Sequence, residues 1–408
     1  MIVHPCKQPD AAPRKAVSLH NMVPALDTTR LLYIVDHPIQ YQAPLLQRLE
    51  AESSINLRVA FRHLGGANRQ FDQGFGRDVV WDIPLLEGYD HTIVPRGSDL
   101  AALIEWSDVV WLHGWQGSWM RKALLIAARK KRPLLMRGEN TDNAMPDGSG
   151  PRGWLKQLYL KRIFTKCTAF LCIGSDNRRY YQHKGISENR LFSMPYAVDN
   201  SFFQSRAEKA VPGRGALRTE LGLQPGRPIV LFAGKLSKRK NPIMLLQAFL
   251  ALDRAITKEP YLLFVGDGEL REELIKAAAA NPAIKFAGFR NQTEMPGIYD
   301  LADIFVLASH REPWGLAVNE AMNASCTIIV SNDCGCAADL VDQECGRIVP
   351  AGSQKHLAAA LTELLSSPAQ CANMGLAAKR KVTGWGFDRD ITGLKLAIDA
   401  VKHGIDRS

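Results

Sequence analysis

No apolar run in this chain approaches the ~18 consecutive residues that a membrane-crossing helix requires. The first 29 residues show no periodicity and lack the apolar core of a signal peptide. The expected location is therefore cytoplasmic. Zinc-type spacing is absent as well. Cys326, Cys334, Cys336 and Cys345 crowd into twenty residues, but the Cys-x-Cys pair has no Cys-x2-Cys partner and no histidine falls among the four. No metal site is expected, and reduced thiols are the default reading. No recognised nucleic-acid-binding motif accompanies the basic charge, so a nucleic-acid partner is not expected either.

At 408 residues the chain exceeds one compact core, and two domains are the natural expectation. Its 46% apolar and 23% charged residues are those of an ordinary globular protein. The net charge of +10 is uneven: residues 1–200 hold 26 Lys/Arg against 19 Asp/Glu, and residues 201–408 hold 25 against 22. A basic first half points to an anionic partner. Short apolar strands such as Arg30 to Val35, Asp108 to Leu112, Thr168 to Ile173 and Pro228 to Ala233 alternate with amphipathic helices, the pattern of parallel sheets covered on both faces. The fold class read from this is α/β, with two doubly wound, Rossmann-like domains. In such sheets ligands gather at the carboxyl ends of strands. His37, His113 and Glu139 all follow strands in the first half and become candidates there.

The most informative stretch lies between Phe305 and Val330. It reads as a strand (Ile304 to Leu307), a loop (Ala308 to Gly315), a helix (Leu316 to Ala324) and a second strand from Thr327. Glu312 sits in the turn before the helix and Glu320 on its second turn, roughly 12 Å apart along the axis at 1.5 Å per residue. That is too far for one acid/base pair on one bond. It suits the two ends of an elongated ligand. The helix start between them offers the N–H groups of Trp314, Gly315 and Leu316 to a phosphate. Upstream, Gly234-Lys235-Leu-Ser-Lys-Arg-Lys240 places two lysines five apart between a strand end and a helix start, where anions bind.

Glu312-Pro-Trp-Gly-Leu-Ala-Val-Asn-Glu320, taken with Lys235 and Lys240, resembles the signature of retaining GT-B glycosyltransferases of family 4 (glycosyl transferases group 1, bacterial type). The resemblance runs from about residue 30 to the end and is strongest over 229–350. It implies two domains facing a cleft. Residues 1–29 would be a disordered or variable lead, 30–200 the acceptor-binding domain, 201–384 the nucleotide-sugar-binding domain, and 385–408 a helix crossing back to the first domain. It further implies that Glu312 orients the donor sugar, Glu320 bonds the ribose, Lys235 and Lys240 neutralise the diphosphate, and His113 faces the sugar. Gly234, Gly288 and Phe289 stand where the family contacts the donor, the last two where backbone groups meet the base. His37 and Glu139 fall on the acceptor side. The family retains anomeric configuration and needs no divalent metal or other cofactor, the nucleotide sugar being a substrate. Four departures are plain: the loop after the first strand has no early glycine, Ala197 and Ser325 stand where glycine is usual, and Lys235 replaces the usual arginine, keeping charge but losing bidentate geometry.

The function expected is transfer of a hexose-type sugar from a UDP- or GDP-sugar to a glycan or lipid-linked glycan in polysaccharide or cell-envelope biosynthesis. A nucleotide-sugar 2-epimerase of the same fold and a non-catalytic nucleotide-sugar-binding subunit are the alternatives. Arg121 to Arg132 holds six basic residues and no acid, and Arg152 to Lys166 interleaves Trp154, Leu155, Leu158 and Tyr159 with basic residues. Both are read as a peripheral contact with the inner, anionic face of a membrane. Residues 200–227, rich in Gly and Pro, are read as a linker or the loop leading into the second half.

Overall fold

A computed structural model describes residues 28–405 apart from 66, 149 and 254–258; the expectation for the lead lies largely outside the described residues. Two parallel sheets organise the chain. The first contains β1 (Thr29–Val35), β2 (Ile55–Phe61), β5 (His91–Ile93), β6 (Val109–His113), β7 (Leu134–Arg137), β8 (Ala169–Cys172) and β9 (Leu191–Ser193), in the order β5-β2-β1-β6-β7-β8-β9. Between β2 and β5 a small antiparallel hairpin, β3 (Gln70–Asp72) with β4 (Arg77–Val79), stands apart from the sheet. The second sheet contains β10 (Ile229–Ala233), β11 (Tyr261–Val265), β12 (Ile284–Gly288), β13 (Ile304–Leu307), β14 (Thr327–Ser331) and β15 (Gly346–Val349), in the order β12-β11-β10-β13-β14-β15.

Central strands are buried on both faces, so they read as unbroken apolar runs rather than alternating ones. Leu31 to Val35 and Ile229 to Ala233 are all buried. Strand order reverses direction at β1/β6 in one sheet and at β10/β13 in the other. Each reversal opens a crevice at the strands' carboxyl ends. Loops from both ends line a shared cleft of about 1110 Å³.

Residues 200–227 are not a linker. They form two helices, Asn200–Ala210 and Arg214–Glu220. The Asp199 carboxylate accepts a hydrogen bond from the Phe202 amide and caps the first helix, which buries Phe203 and Ala207. The glycines and prolines of this stretch lie mostly in the turns after that helix, where composition alone suggested a loop.

The last helix, Phe387–His403, packs on the first sheet although it follows the second. Ile391, Leu394, Ala397 and Ile398 join the core built on Leu31, Tyr33 and Trp111. Close approach requires Gly393: a Cβ there would sit 1.6 Å from the Ser193 carbonyl oxygen of β9. Arg137 and Asp390 lock the contact, 2.8 Å apart and both buried.

Candidate active site

The cleft gathers His37, His113 and Glu139 from the first sheet with Gly234, Lys235 and Lys240 from the second. His37 follows β1 and stacks on His63, ring centroids 5.6 Å apart. Asp36, His37 and His63 bring their ligand atoms within 4.8 Å of one another. The Gly65 N–H donates to His63 Nδ1 at 3.0 Å, so the neutral ring carries its proton on Nε2, 3.1 Å from Asp36. This is a hydrogen-bonded pair rather than a set of free metal ligands. Asp388-Arg389-Asp390 also has the form of a carboxylate pair, yet Asp388 is paired with Arg48 and Asp390 with Arg137.

His113 ends β6 inside a connected polar network. Its Nδ1 is 3.0 Å from the Gln42 amide nitrogen and 2.9 Å from the Tyr33 hydroxyl, which itself donates to Gln42 Oε1. Since an amide nitrogen only donates, Nδ1 is the acceptor and Nε2 holds the proton. Nε2–H then points to the Tyr196 hydroxyl at 3.2 Å, and Tyr196 donates to Glu139 Oε1 at 2.6 Å. Burial, then the nearby charges of Arg137 and His37, depress the His113 pKa to about 3. The ring stays neutral, and both its nitrogens are occupied by protein groups.

Tyr196 also works through its backbone. Its carbonyl accepts from Trp385 Nε1 at 2.9 Å and from Asn319 Nδ2 at 3.3 Å. Asn319 in turn accepts from Trp314 Nε1 at 2.9 Å, and Trp314 stacks on Trp385 at 5.7 Å. The Trp314 side chain is thus buried between the two halves. Its neighbour Gly315 begins the helix Leu316–Asn323 with φ +104°, a left-handed backbone that suits glycine.

Glu312 is held by its backbone on the next loop: its amide donates to Asp333 O and its carbonyl accepts from Gly335 N. Its carboxylate lies 2.6 Å from Lys240 Nζ and 3.1 Å from Arg239 Nη1. Glu320 accepts from the Tyr299 hydroxyl at 2.7 Å. Desolvation raises its pKa to about 7 against the opposing hydrogen bonds of Tyr299 and Gln292 and the charge of Lys240. Trp314, Gly315, Leu316, Glu312, Glu320, Gly288 and Phe289 are not part of the cleft lining, whereas Ala317 and Arg239 are.

The hairpin β3–β4 reaches from the first half onto the second. Asp72 binds Lys235 Nζ at 2.8 Å and also accepts from the amides of Gly74 and Phe75. Burial raises the Asp72 carboxyl, but the Lys235 hydrogen bond and those amides outweigh it and the net pKa is lowered. Phe75 meets Phe289 edge-on at 5.1 Å, Trp81 approaches it at 6.2 Å and Arg77 lies over its ring at 5.0 Å. Gly288 ends β12 and accepts the Gly266 amide at 2.8 Å.

The family model described as "Glycosyl transferases group 1" matches residues 214–381. The matched segment takes in the whole second sheet and resembles the domain that the model describes. Around it the chain has the GT-B fold. It superposes on Anabaena HepE in complex with UDP and glucose with a TM-score of 0.69 at 14% identity, covering 91% of this chain and 100% of that one. It superposes on WaaG, a glycosyltransferase involved in lipopolysaccharide biosynthesis, with a TM-score of 0.65 at 15% identity over 92% and 100%. In sequence, spore coat protein SA of Bacillus subtilis is 32% identical over 190 residues, 43% of this chain and 49% of that protein. The D-inositol 3-phosphate glycosyltransferase of Nocardia farcinica is 24% identical over 262 residues, 62% and 56%. The chain spans about half the length of these curated relatives.

Several residues of this cleft are not marked by the sequence around them. Arg239 was visible as part of the Lys238-Arg239-Lys240 run. Asp72, Gln42 and Tyr196 carried no local signal, because their partners are distant in the chain.

Proposed function

We propose that the chain transfers a hexose-type sugar from a UDP- or GDP-sugar to a glycan or lipid-linked glycan, with retention of anomeric configuration and without a divalent metal. The second half takes the donor and the first half the acceptor. The observation that carries this reading is the cluster of Lys235, Arg239 and Lys240 at the carboxyl end of β10, beside Glu312 and the helix that starts at Gly315. Cations fixed at that position stabilise charge developing on a leaving diphosphate. The HepE complexes with UDP, glucose and UDP-glucose support a nucleotide-sugar donor.

In this reading Lys235 and Lys240 meet the diphosphate, Glu320 accepts the ribose hydroxyls, Glu312 orients the sugar, and the amides of Trp314, Gly315 and Leu316 face a phosphate. Gly234, Gly288 and Phe289 complete the donor side. His113 is the neutral group on the sugar side, and His37 and Glu139 receive the acceptor. The group 1 description and the D-inositol 3-phosphate glycosyltransferases favour transfer over 2-epimerisation.

The test is calorimetric titration of UDP- and GDP-sugars, in chelator, into the wild type and Glu320→Ala. One donor binding tightly to the wild type and poorly to the variant supports the reading. Acceptor screens with that donor, followed by proton NMR of the product's anomeric coupling, then decide transfer and retention. Donor bound but never transferred leaves a binding subunit, and no donor bound at all refutes the proposal.

A further inference from the structure

The helix Gly150–Phe164 carries large apolar groups on its outward face as well as its inward one, which its place on the protein surface does not explain. Gly153, Leu160, Ile163 and Phe164 face the core. Trp154, Leu155, Leu158 and Tyr159 remain exposed, Trp154 by 63% and Leu155 by 56%. An amphipathic helix of a globular protein keeps its outer face polar. At about 100° per residue, the outward arc runs Lys161, Trp154, Leu158, Arg162, Leu155, Tyr159, so cations are interleaved with apolar groups on one face. The neighbouring helix Gly117–Arg129 adds Arg121, whose guanidinium donates to the Tyr159 hydroxyl at 3.1 Å, and an exposed Leu125. Neither Arg121 to Arg132 nor Arg152 to Lys166 contains an acid.

We infer that this face docks on an anionic lipid bilayer, with the ridge Trp154–Leu155–Leu158–Tyr159 entering the headgroup layer and Lys161 and Arg162 pairing with lipid phosphates. The interleaving argues for a bilayer over a protein. Protein interfaces separate a charge-depleted apolar core from a polar rim, whereas long cationic side chains among apolar ones can snorkel to the headgroups while their neighbours sink. The face is also continuous with the cleft. Tyr159 meets Trp115 edge-on at 6.0 Å, and Trp115, Met120 and Met145 line the cleft on its first-sheet side. A lipid-borne acceptor would therefore enter without leaving the membrane surface. That last point rests on the proposed transfer; the docking itself does not.

The full chain is tested by co-sedimentation with vesicles of phosphatidylcholine alone or mixed with phosphatidylglycerol. The wild type is expected to sediment with the anionic vesicles, to be released by salt, and to ignore the neutral ones. Lys161→Glu and Arg162→Glu should each weaken partition by about fivefold or more. The double variant Trp154→Ser/Leu158→Ser should abolish it, while Leu376→Ser/Leu396→Ser, exposed apolar positions elsewhere, should not. Equal binding to both lipids, or indifference to Trp154→Ser/Leu158→Ser, overturns the inference. So does a dimer in sedimentation velocity that this variant dissolves in the absence of any vesicle binding, which would give the face to a second copy. Donor calorimetry on the same variants should be unchanged, so a failure here is distinguishable from failure of the proposed transfer.

Discussion

Lys235 Nζ lies 2.8 Å and 3.0 Å from the two carboxylate oxygens of Asp72, 163 positions earlier in the chain. One anion already occupies the ammonium that the proposed reaction needs for a diphosphate. The hairpin carrying Asp72 also brings Phe75 and Arg77 onto Phe289. A donor diphosphate would compete with the Asp72 carboxylate for Lys235.

Asp72→Asn should therefore tighten binding of a nucleoside diphosphate. Both side chains are about one-third exposed, and a pair of that kind contributes at most ~1 kcal/mol. The gain is expected to be up to about fivefold, shrinking at high salt. Titration of UDP and GDP into both proteins at two ionic strengths measures it. Weaker binding by the variant would show that Asp72 positions Lys235 rather than competing for it.

Glu320 gives a pH dependence. Its folded pKa of about 7 lies above its ordinary value, so between the two the folded chain holds a proton the unfolded chain has released. This carboxyl therefore costs stability as pH rises through that window, in full above about 7. Ribose hydroxyls donate to the ionised form. Nucleotide affinity should fall about tenfold from pH 8 to pH 6, and Glu320→Gln should bind weakly with no such slope. A flat wild-type profile would remove Glu320 from the ribose.

Tyr196→Phe deletes the hydroxyl between His113 and Glu139 but keeps the ring and the carbonyl that Trp385 and Asn319 use. Donor affinity should be unchanged and kcat lower by about tenfold. The pH–rate profile is recorded for both proteins, since the change removes the hydroxyl that donates to Glu139 at 2.6 Å. A variant with wild-type kcat and profile would confine Tyr196 to packing. Since His113 is held near 3, it should contribute no limb to that profile between pH 5 and 9.

Asp390→Ala strands Arg137 as a buried, uncompensated charge. Destabilisation of about 3–5 kcal/mol is expected, read as a lower urea midpoint for the first unfolding transition. Replacing both residues with leucine should cost less than the single change. Burial raises the Asp390 pKa to about 7 although the Arg137 charge opposes it, so this carboxyl too costs stability as pH rises toward 7 and in full beyond it.

What the chain announces by itself is local. Runs such as Leu31 to Val35 and Ile229 to Ala233 are strands because burial on both faces demands unbroken apolar sequence, and their alternation with helices specifies the α/β class. The groups standing at the strand ends, His113, Lys235 and Glu312 among them, follow from the same short-range pattern. Local composition misled only where its signal was narrow: Gly and Pro after Ala210 obscured the helix that Asp199 caps. The tertiary structure alone decided the partners. Asp72 with Lys235, Arg137 with Asp390 and the Tyr196 carbonyl with Trp385 join residues 163, 253 and 189 positions apart. Nothing in the immediate neighbourhood of either residue specifies such a pair. It exists because two sheets and a returning helix bring their loops to one cleft, and burial there leaves each charge and carbonyl to be satisfied by whatever the other half presents.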